Sequence, residues 1–395
     1  MSGTRVVMVT RRFWPLMGGS ESVTAGLGRE LMERGLVPSF LTARFDMRWP
    51  SDVVFQEMAV HRLAFPQQVG WGPLRYGIVL ARWLRRHQNE IDLACVSGLS
   101  LEAHAAIKAL AGTRIPVVLR AESDAPRLAE GTSPEHRVAR QVARHGRTDV
   151  AVVVSSEAAR QRLIDAGFSG RHLRLVPDGI ALKESGWGTD TLSARSALAG
   201  ANEDLRVGLY MTVVTYVGPL QAEYKLDQLI WAWQRVAGSF PHARLWLIGD
   251  GPCRNQLYRM VQDADLVGRV VMPGTFDNLE DIMRASDLLV VPSGAIDQSP
   301  TILTAMAKRV SVLVAKSPEH ASVVRDGVTG RLLAQTNSNA LADAISGALA
   351  DPRDGEDMAA AAFGFVHQYH SRRAMGQQYH DLFEHLTGAS RKVVP

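Results

Sequence analysis

Three stretches of this 395-residue sequence combine residue types able to hold an anion. Arg11 and Arg12 follow a short apolar run, Val6 to Thr10, and place two guanidinium groups at its carboxyl end. Gly18 and Gly19 lie late in the same loop, ahead of Ser20-Glu21 and a helical stretch. Adjacent glycines let backbone N–H groups approach a ligand, and the start of a helix turns its positive end toward negative charge. The same residues also make a tight turn before a helix, and an Arg pair is also an ordinary surface feature. Further on, Ser299-Pro300-Thr301 has the form of a helix start: Ser as N-cap, Pro at the first helical position, and a helix over residues 301–308. The unpaired N–H groups of that first turn can bind a phosphate oxygen, besides starting the helix.

Other chemistries find no support. The adjacent glycines do not form the G-x-G-x-x-G dinucleotide fingerprint. Cys95 and Cys253 are far apart and give neither a metal spacing nor a disulfide framework, which suits a reducing compartment. His104 sits between alanines, and His367, His370, His380 and His385 show no ligand spacing. The formal net charge of +4 is mild, and no zinc-finger, RNP-like or homeodomain signature is present, so no nucleic-acid partner is expected.

The elements that must position these residues follow one device, an apolar strand that stops at a Gly, Pro or Ser turn and enters a helix. Thr212 to Val217 stops at Gly218-Pro219, and Arg244 to Ile248 at Gly249-Asp250-Gly251-Pro252. Val270 to Met272 stops at Pro273-Gly274, Asp287 to Val291 at Pro292-Ser293, and Val310 to Val314 follows. The first half reads the same way, with strands at residues 6–10, 38–43, 91–96, 116–120, 149–154 and 173–176. Short buried strands alternating with helices predict parallel sheets covered on both faces, with ligands at the carboxyl ends of the strands. The length predicts two such domains. Residues 183 to about 206, Gly-rich and polar at their start, are assigned to the link. The domains are then 1–190 and 207–360, with a C-terminal helix over 365–390 packing back on the first. Hydrophobic residues make up 46% and charged residues 21%, the balance of a globular protein without a run long enough to cross a bilayer. The apolar run after Met1 is too short for a signal-peptide core, so a cytoplasmic protein is expected.

Together these motifs carry a resemblance. Gly18-Gly19-Ser20-Glu21, Val176-Pro177-Asp178-Gly179, Val217-Gly218, Lys225-Leu226-Asp227 and Gly249-Asp250-Gly251-Pro252 appear in the order of the GT4 retaining glycosyltransferases. So do Ser286 to Ser293, Asp297-Gln298-Ser299-Pro300, Ala305-Met306-Ala307 and Asp326-Gly327-Val328-Thr329-Gly330. The resemblance spans essentially the whole chain. It implies the GT-B fold, two Rossmann-like parallel-sheet domains facing each other across a cleft. It further implies transfer of a sugar from a nucleotide-diphosphate sugar, held by the second domain, to a carbohydrate, lipid-linked or small-molecule acceptor held by the first. It implies retention of configuration and no metal or cofactor. Lys225 then falls at the diphosphate, Asp297 near the sugar and diphosphate, and Gly274 and Thr275 beside the nucleobase. Glu122 stands near a sugar-contacting position, although Glu122 and Asp124 also read as a solvated acidic loop.

Departures from the family pattern cluster in one pocket. Pro219 stands where the family has an Arg, and a Pro offers neither charge nor N–H. Thr304 stands where a carboxylate grips the ribose, and a single hydroxyl cannot accept from both ribose hydroxyls. Arg309 replaces a Gly. Arg11 or Arg12 is a candidate substitute cation, with Lys225 and Arg309 on the other side. The alternative function is a catalytically impaired relative acting as a binding or scaffolding subunit. Arg75, Arg82, Arg85 and Arg86, and again Arg137, Arg140 and Arg144, recur at helical spacing among apolar residues. That pattern fits peripheral contact with an anionic inner membrane face, and it fits a solvated helix face as well.

Overall fold

The computed structural model describes residues 3–16, 19–65, 72–121, 150–180, 189–208, 210–276 and 279–392. Two compact units emerge, one formed by Met1–Ala181 with Ser371–Pro395, the other by Leu182–His370.

The first unit is built on eight strands: β1 (Arg5–Val9), β2 (Val37–Arg44), β3 (Asp52–Phe55), β4 (Met58–Ala64), β5 (Leu93–Ser97), β6 (Val117–Ala121), β7 (Val150–Val154) and β8 (Leu173–Leu175). They lie in the order β3-β4-β2-β1-β5-β6-β7-β8, all parallel except β3, which pairs antiparallel with β4. Helices α1 (Gly19–Glu33), α2 (Gly72–Arg86), α3 (Leu101–Ala109) and α4 (Glu157–Asp165) cover the sheet. Strand alternation splits the core: Val7 and Val9 face Leu80, Leu84 and Ala106, while Val6 and Met8 face Leu27, Leu31 and Phe40. The hairpin β3–β4 is absent from the sequence expectation. Its two-residue turn, Gln56-Glu57, takes positive φ at both positions (49° and 68°) without the Gly or Asn that usually marks such a turn.

The second unit begins earlier than residue 207. Within the stretch assigned to the link, Thr189–Ala201 forms helix α5, which packs through the buried Ala194 and Leu198. Buried Arg195 fixes it, donating to the carbonyls of Ala285 (3.1 Å) and Met211 (3.0 Å) and pairing with Asp287 at 2.8 Å. With so narrow an apolar stripe, the helix leaves little period in the sequence. Strands β9 (Thr212–Val217), β10 (Ala243–Ile248), β11 (Val270–Gly274), β12 (Leu288–Val291), β13 (Ser311–Ala315) and β14 (Arg331–Leu333) follow. Helices α6 (Leu226–Ser239), α7 (Arg254–Asp263), α8 (Glu280–Ala285), α9 (Ser299–Met306), α10 (His320–Val323), α11 (Ser338–Ala350) and α12 (Pro352–Tyr369) connect and flank them. The sheet is parallel throughout, in the order β11-β10-β9-β12-β13-β14. Counted within the unit this is 3-2-1-4-5-6, the doubly wound order whose switch point lies between β9 and β12. Asp351-Pro352 starts α12, with the Asp351 side chain accepting from the Asp354 N–H.

The last helix, α13 (Arg372–Lys392), returns to the first unit. It buries Met375, Tyr379 and Phe383 beside Leu27 and Leu31, and approaches α1 so closely that a Cβ on Gly376 would stand 2.5 Å from the Cβ of Glu30.

Candidate functional site

In the second unit the carboxyl ends of the strands are joined by backbone contacts that leave no room for side chains. A Cβ on Gly249, after β10, would lie 1.9 Å from the carbonyl oxygen of Gly218, after β9. One on Gly251 would lie 2.5 Å from the Leu220 oxygen. The ladder extends past the strands, with the Gly218 N–H donating to Ile248 O (3.0 Å) and the Gly249 N–H to Gly274 O (2.8 Å). Gly218 and Gly274 are thus brought to the two sides of Gly249. Gly274 has φ of +101°, a conformation that suits glycine, and Thr275 beside it is exposed.

Across the switch point, the turn after β12 is held by the buried Ser293, whose hydroxyl donates to Glu223 O at 2.6 Å. Asp297 and Gln298 follow. The Asp297 carboxylate accepts from the Ser299 N–H (2.8 Å) and the Ser299 hydroxyl (2.5 Å). Ser299 is therefore the first helical residue rather than the cap, with Gln298 at the cap position and Pro300 in the first turn. The Thr304 hydroxyl turns back onto its own helix and donates to Pro300 O at 2.7 Å. The Gln298 amide, buried, donates to Val217 O at 3.0 Å and ties the start of α9 to the end of β9.

Gln298 is also held from the far side. The fully buried ring of His320 donates from Nδ1 to Ala315 O (2.8 Å), because a carbonyl can only accept, and its Nε2 accepts from the Gln298 N–H (3.1 Å). That pairing requires the neutral imidazole. Burial pushes its pKa below the ordinary value, against the pull of the Ala315 carbonyl, the Asp297 charge and the Ile296 carbonyl.

Lys225 stands at the N-cap of α6 with φ of 53°, exposed, its ammonium donating to the Thr336 hydroxyl at 3.4 Å. Arg309 does not edge this site. It follows α9 at the amino end of β13, with φ of 57° and its guanidinium 4.5 Å over the ring of Phe363.

In the first unit the carboxyl edge is built differently. Arg11 forms a two-pronged pair with Glu102 of α3, at 2.7 and 2.8 Å, and the Ser100 hydroxyl donates to the same buried carboxylate. Arg12 is exposed, 3.9 Å from Glu21. Arg120, at the end of β6, is buried and pairs with Asp178 at 3.2 Å. Gly19 opens α1, while Gly18, Glu122, Asp124 and the basic run 137–144 lie outside the described residues. Arg75, Arg82, Arg85 and Arg86 all lie on the exposed face of α2, with Ile78 among them. Sequence reasoning missed Gln298, Ser293 and His320. A single His after a Pro-Glu pair carries no spacing signal, and its role arises only where β13 meets the loop before α9.

Known families match both units. Residues 17–184 fit the family model described as Glycosyltransferase Family 4, and residues 211–351 that described as Glycosyl transferases group 1. Together the two matches take in most of the chain, which is GT4-like. This glycosyltransferase-family chain is 30% identical over 257 residues to the D-inositol 3-phosphate glycosyltransferase of Nocardia farcinica, covering 61% of this chain and 55% of the relative. It spans about half the length of several curated relatives that it matches. Its fold matches sucrose-phosphate synthase from Thermosynechococcus elongatus with a TM-score of 0.80 at 19% identity, over 98% of this chain and 100% of that one. It also matches Anabaena Alr3699/HepE in complex with UDP-glucose, with a TM-score of 0.72 at 20% identity, over 96% and 99%. The chain thus has the GT-B fold, with two Rossmann-like domains. The group 1 match takes in the whole carboxyl edge from Gly218 to His320.

Proposed function

We propose that this chain transfers a glycosyl group from a nucleotide-diphosphate sugar to an acceptor hydroxyl with retention of configuration, and that the second unit holds the donor. In that reaction the bond from the anomeric carbon to the diphosphate breaks, a bond from that carbon to the acceptor oxygen forms on the same face, and the hydroxyl proton is released. The supporting observation is the glycine-lined carboxyl edge of a 3-2-1-4-5-6 sheet, with the start of α9 at its switch point. The leaving diphosphate needs positive partners. The reading gives that work to Lys225 and to the positive end of α9, with Gly218 and Gly249 leaving room for the ligand, Asp297 near the sugar, and Gly274 and Thr275 at the base. The related fold of HepE in complex with UDP-glucose supports a uridine nucleotide as the first donor to try. The D-inositol 3-phosphate glycosyltransferase relatives support a small polar acceptor. The Arg-rich face of α2 suits an acceptor presented at an anionic membrane surface; among the described residues no helix is long and apolar enough to cross a membrane.

Thermal shift with UDP-, GDP- and ADP-glucose, followed by assay of nucleoside diphosphate release, tests the reading. One donor at about 100 times its Kd should add about 2.7 kcal/mol of stability. No shift with any of the three would sink the proposal. A second reading has its own observation. Pro219 offers no cation, and the Thr304 hydroxyl is turned back to Pro300, so the usual charged contacts have no counterpart at these positions. A donor-induced shift without diphosphate release would favour this binding or scaffolding role.

A further inference from the structure

We infer that His320 is a positioning residue for the donor site: as a neutral acceptor it fixes Gln298 and the start of α9, and a proton on Nε2 undoes that hold. The inference rests on the reading of the second unit's carboxyl edge as the donor site. Its geometry is independent of that reading. The ring is fully buried, its Nδ1 is committed to Ala315 O at the end of β13, and its Nε2 faces the Gln298 N–H at 3.1 Å. Gln298 in turn reaches Val217 O, at the end of β9. One imidazole therefore links the ends of β13 and β9 through the residue that caps α9. Protonation would set an N–H against an N–H at Nε2. The Ile296 carbonyl, which also acts on the ring, would become the better partner. The loop carrying Asp297 would then shift toward a different set of bonds.

The groups acting on the ring define the direction of the effect. From the loop before α9 come the Asp297 charge and the Ile296 carbonyl, and from β13 the Ala315 carbonyl, all favouring the charged ring. On its own element, Glu319 is the neighbouring buried acid. Burial is the largest influence and overcomes them, so the folded pKa lies below 6.5. A pKa lowered by folding means that the neutral ring contributes fully above pH 6.5. That contribution is lost as pH falls from 6.5 through the folded value, because the opened state takes up the proton first.

Two measurements on the full chain test this. The first is amide hydrogen exchange without donor, expressed as protection factors so that the intrinsic pH dependence is removed. Between about pH 7.5 and about pH 5.5, protection at Gln298 and the first turn of α9 should fall, by at most about tenfold, as the opened state takes up the proton. In H320Q, whose amide oxygen can accept from the same N–H and does not titrate, protection should stay flat. The second is calorimetric titration with UDP-, GDP- and ADP-glucose, whose diphosphates are esterified at both ends and do not titrate in this range. Affinity for the donor that binds should weaken over the same interval in the wild type, by less than tenfold because the folded ring titrates below 6.5, and stay flat in H320Q. Flat protection in the wild type, or an equal fall in H320Q, would overturn the inference. So would H320A binding the donor at pH 7.5 as tightly as the wild type and H320Q, because the hold would then be structural only. If the exchange response is seen and no donor binds at either pH, the donor-site reading fails, and with it the positioning role.

Discussion

The carboxyl edges of the two sheets solve one problem in opposite ways. In the second unit, β9, β10 and β12 are joined by main chain and neutral side chains: Gly218 against Gly249, Leu220 against Gly251, and Gln298 between Val217 and His320. In the first unit the corresponding edge is tied by charge, Arg11 to Glu102 and Arg120 to Asp178. A backbone-built edge is held by its own N–H groups and tolerates no added atom. A charge-built edge tolerates reshaping, but it depends on buried ions keeping their partners. On the proposed function, the first suits a ligand whose diphosphate is always the same, and the second a surface that differs from one acceptor to the next.

The comparison breaks most sharply at Gly249. G249A puts a carbon 1.9 Å from the Gly218 oxygen, a position no real Cβ takes, so two strand ends must separate. The expected cost is at least about 3 kcal/mol in urea unfolding, with donor affinity lost in any folded fraction. A loss below about 1 kcal/mol would show that the edge yields, and the contrast between the units would go with it. Next in size is E102Q in the first unit. Glu102 is nearly fully buried while Arg11 is 40% exposed, so removing the charge leaves a guanidinium that water can reach. The expected cost is about 1–2 kcal/mol, below the penalty for a pair buried on both sides. Donor affinity should stay within about twofold, because the groups proposed to bind the diphosphate belong to the other unit. A larger fall in affinity would bring Arg11 into donor binding after all.

The same contrast explains what the sequence could reveal. Gly218, Gly249 and Gly251 follow apolar strands and Gly274 ends one, so the backbone-built edge was legible as composition at strand ends. The sheets were legible for the same reason, since strands buried on both faces read as runs of Val, Leu and Ile. The tie of Arg11 to Glu102 spans 91 residues and leaves no local trace. His320 and Gln298 are 22 apart, and nothing in either neighbourhood announces the other. Helix α5 was taken for a link because its buried stripe is little more than Ala194, Leu198 and the buried Arg195. The β3–β4 hairpin escaped because Gln56 and Glu57 occupy positive φ without the residues that usually mark it.

Arg309 supplies the smallest effect and a control at the opposite edge of the same sheet. It takes φ of 57° at the amino end of β13, in a place where the family has Gly. Substituting Gly would relieve about 1 kcal/mol of backbone cost at that conformation. It would also remove the guanidinium stacked 4.5 Å over Phe363, worth about 0.5–1 kcal/mol at a partly exposed site. The two nearly cancel, so R309G should change stability by no more than about 0.5 kcal/mol and leave donor affinity unchanged. F363A separates the terms. In its background the stack is already gone, and R309G should then stabilise by nearly the whole backbone term, about 1 kcal/mol. If R309G weakens donor binding instead, the amino edge communicates with the carboxyl edge through α9, and the site cannot be described from strand ends alone.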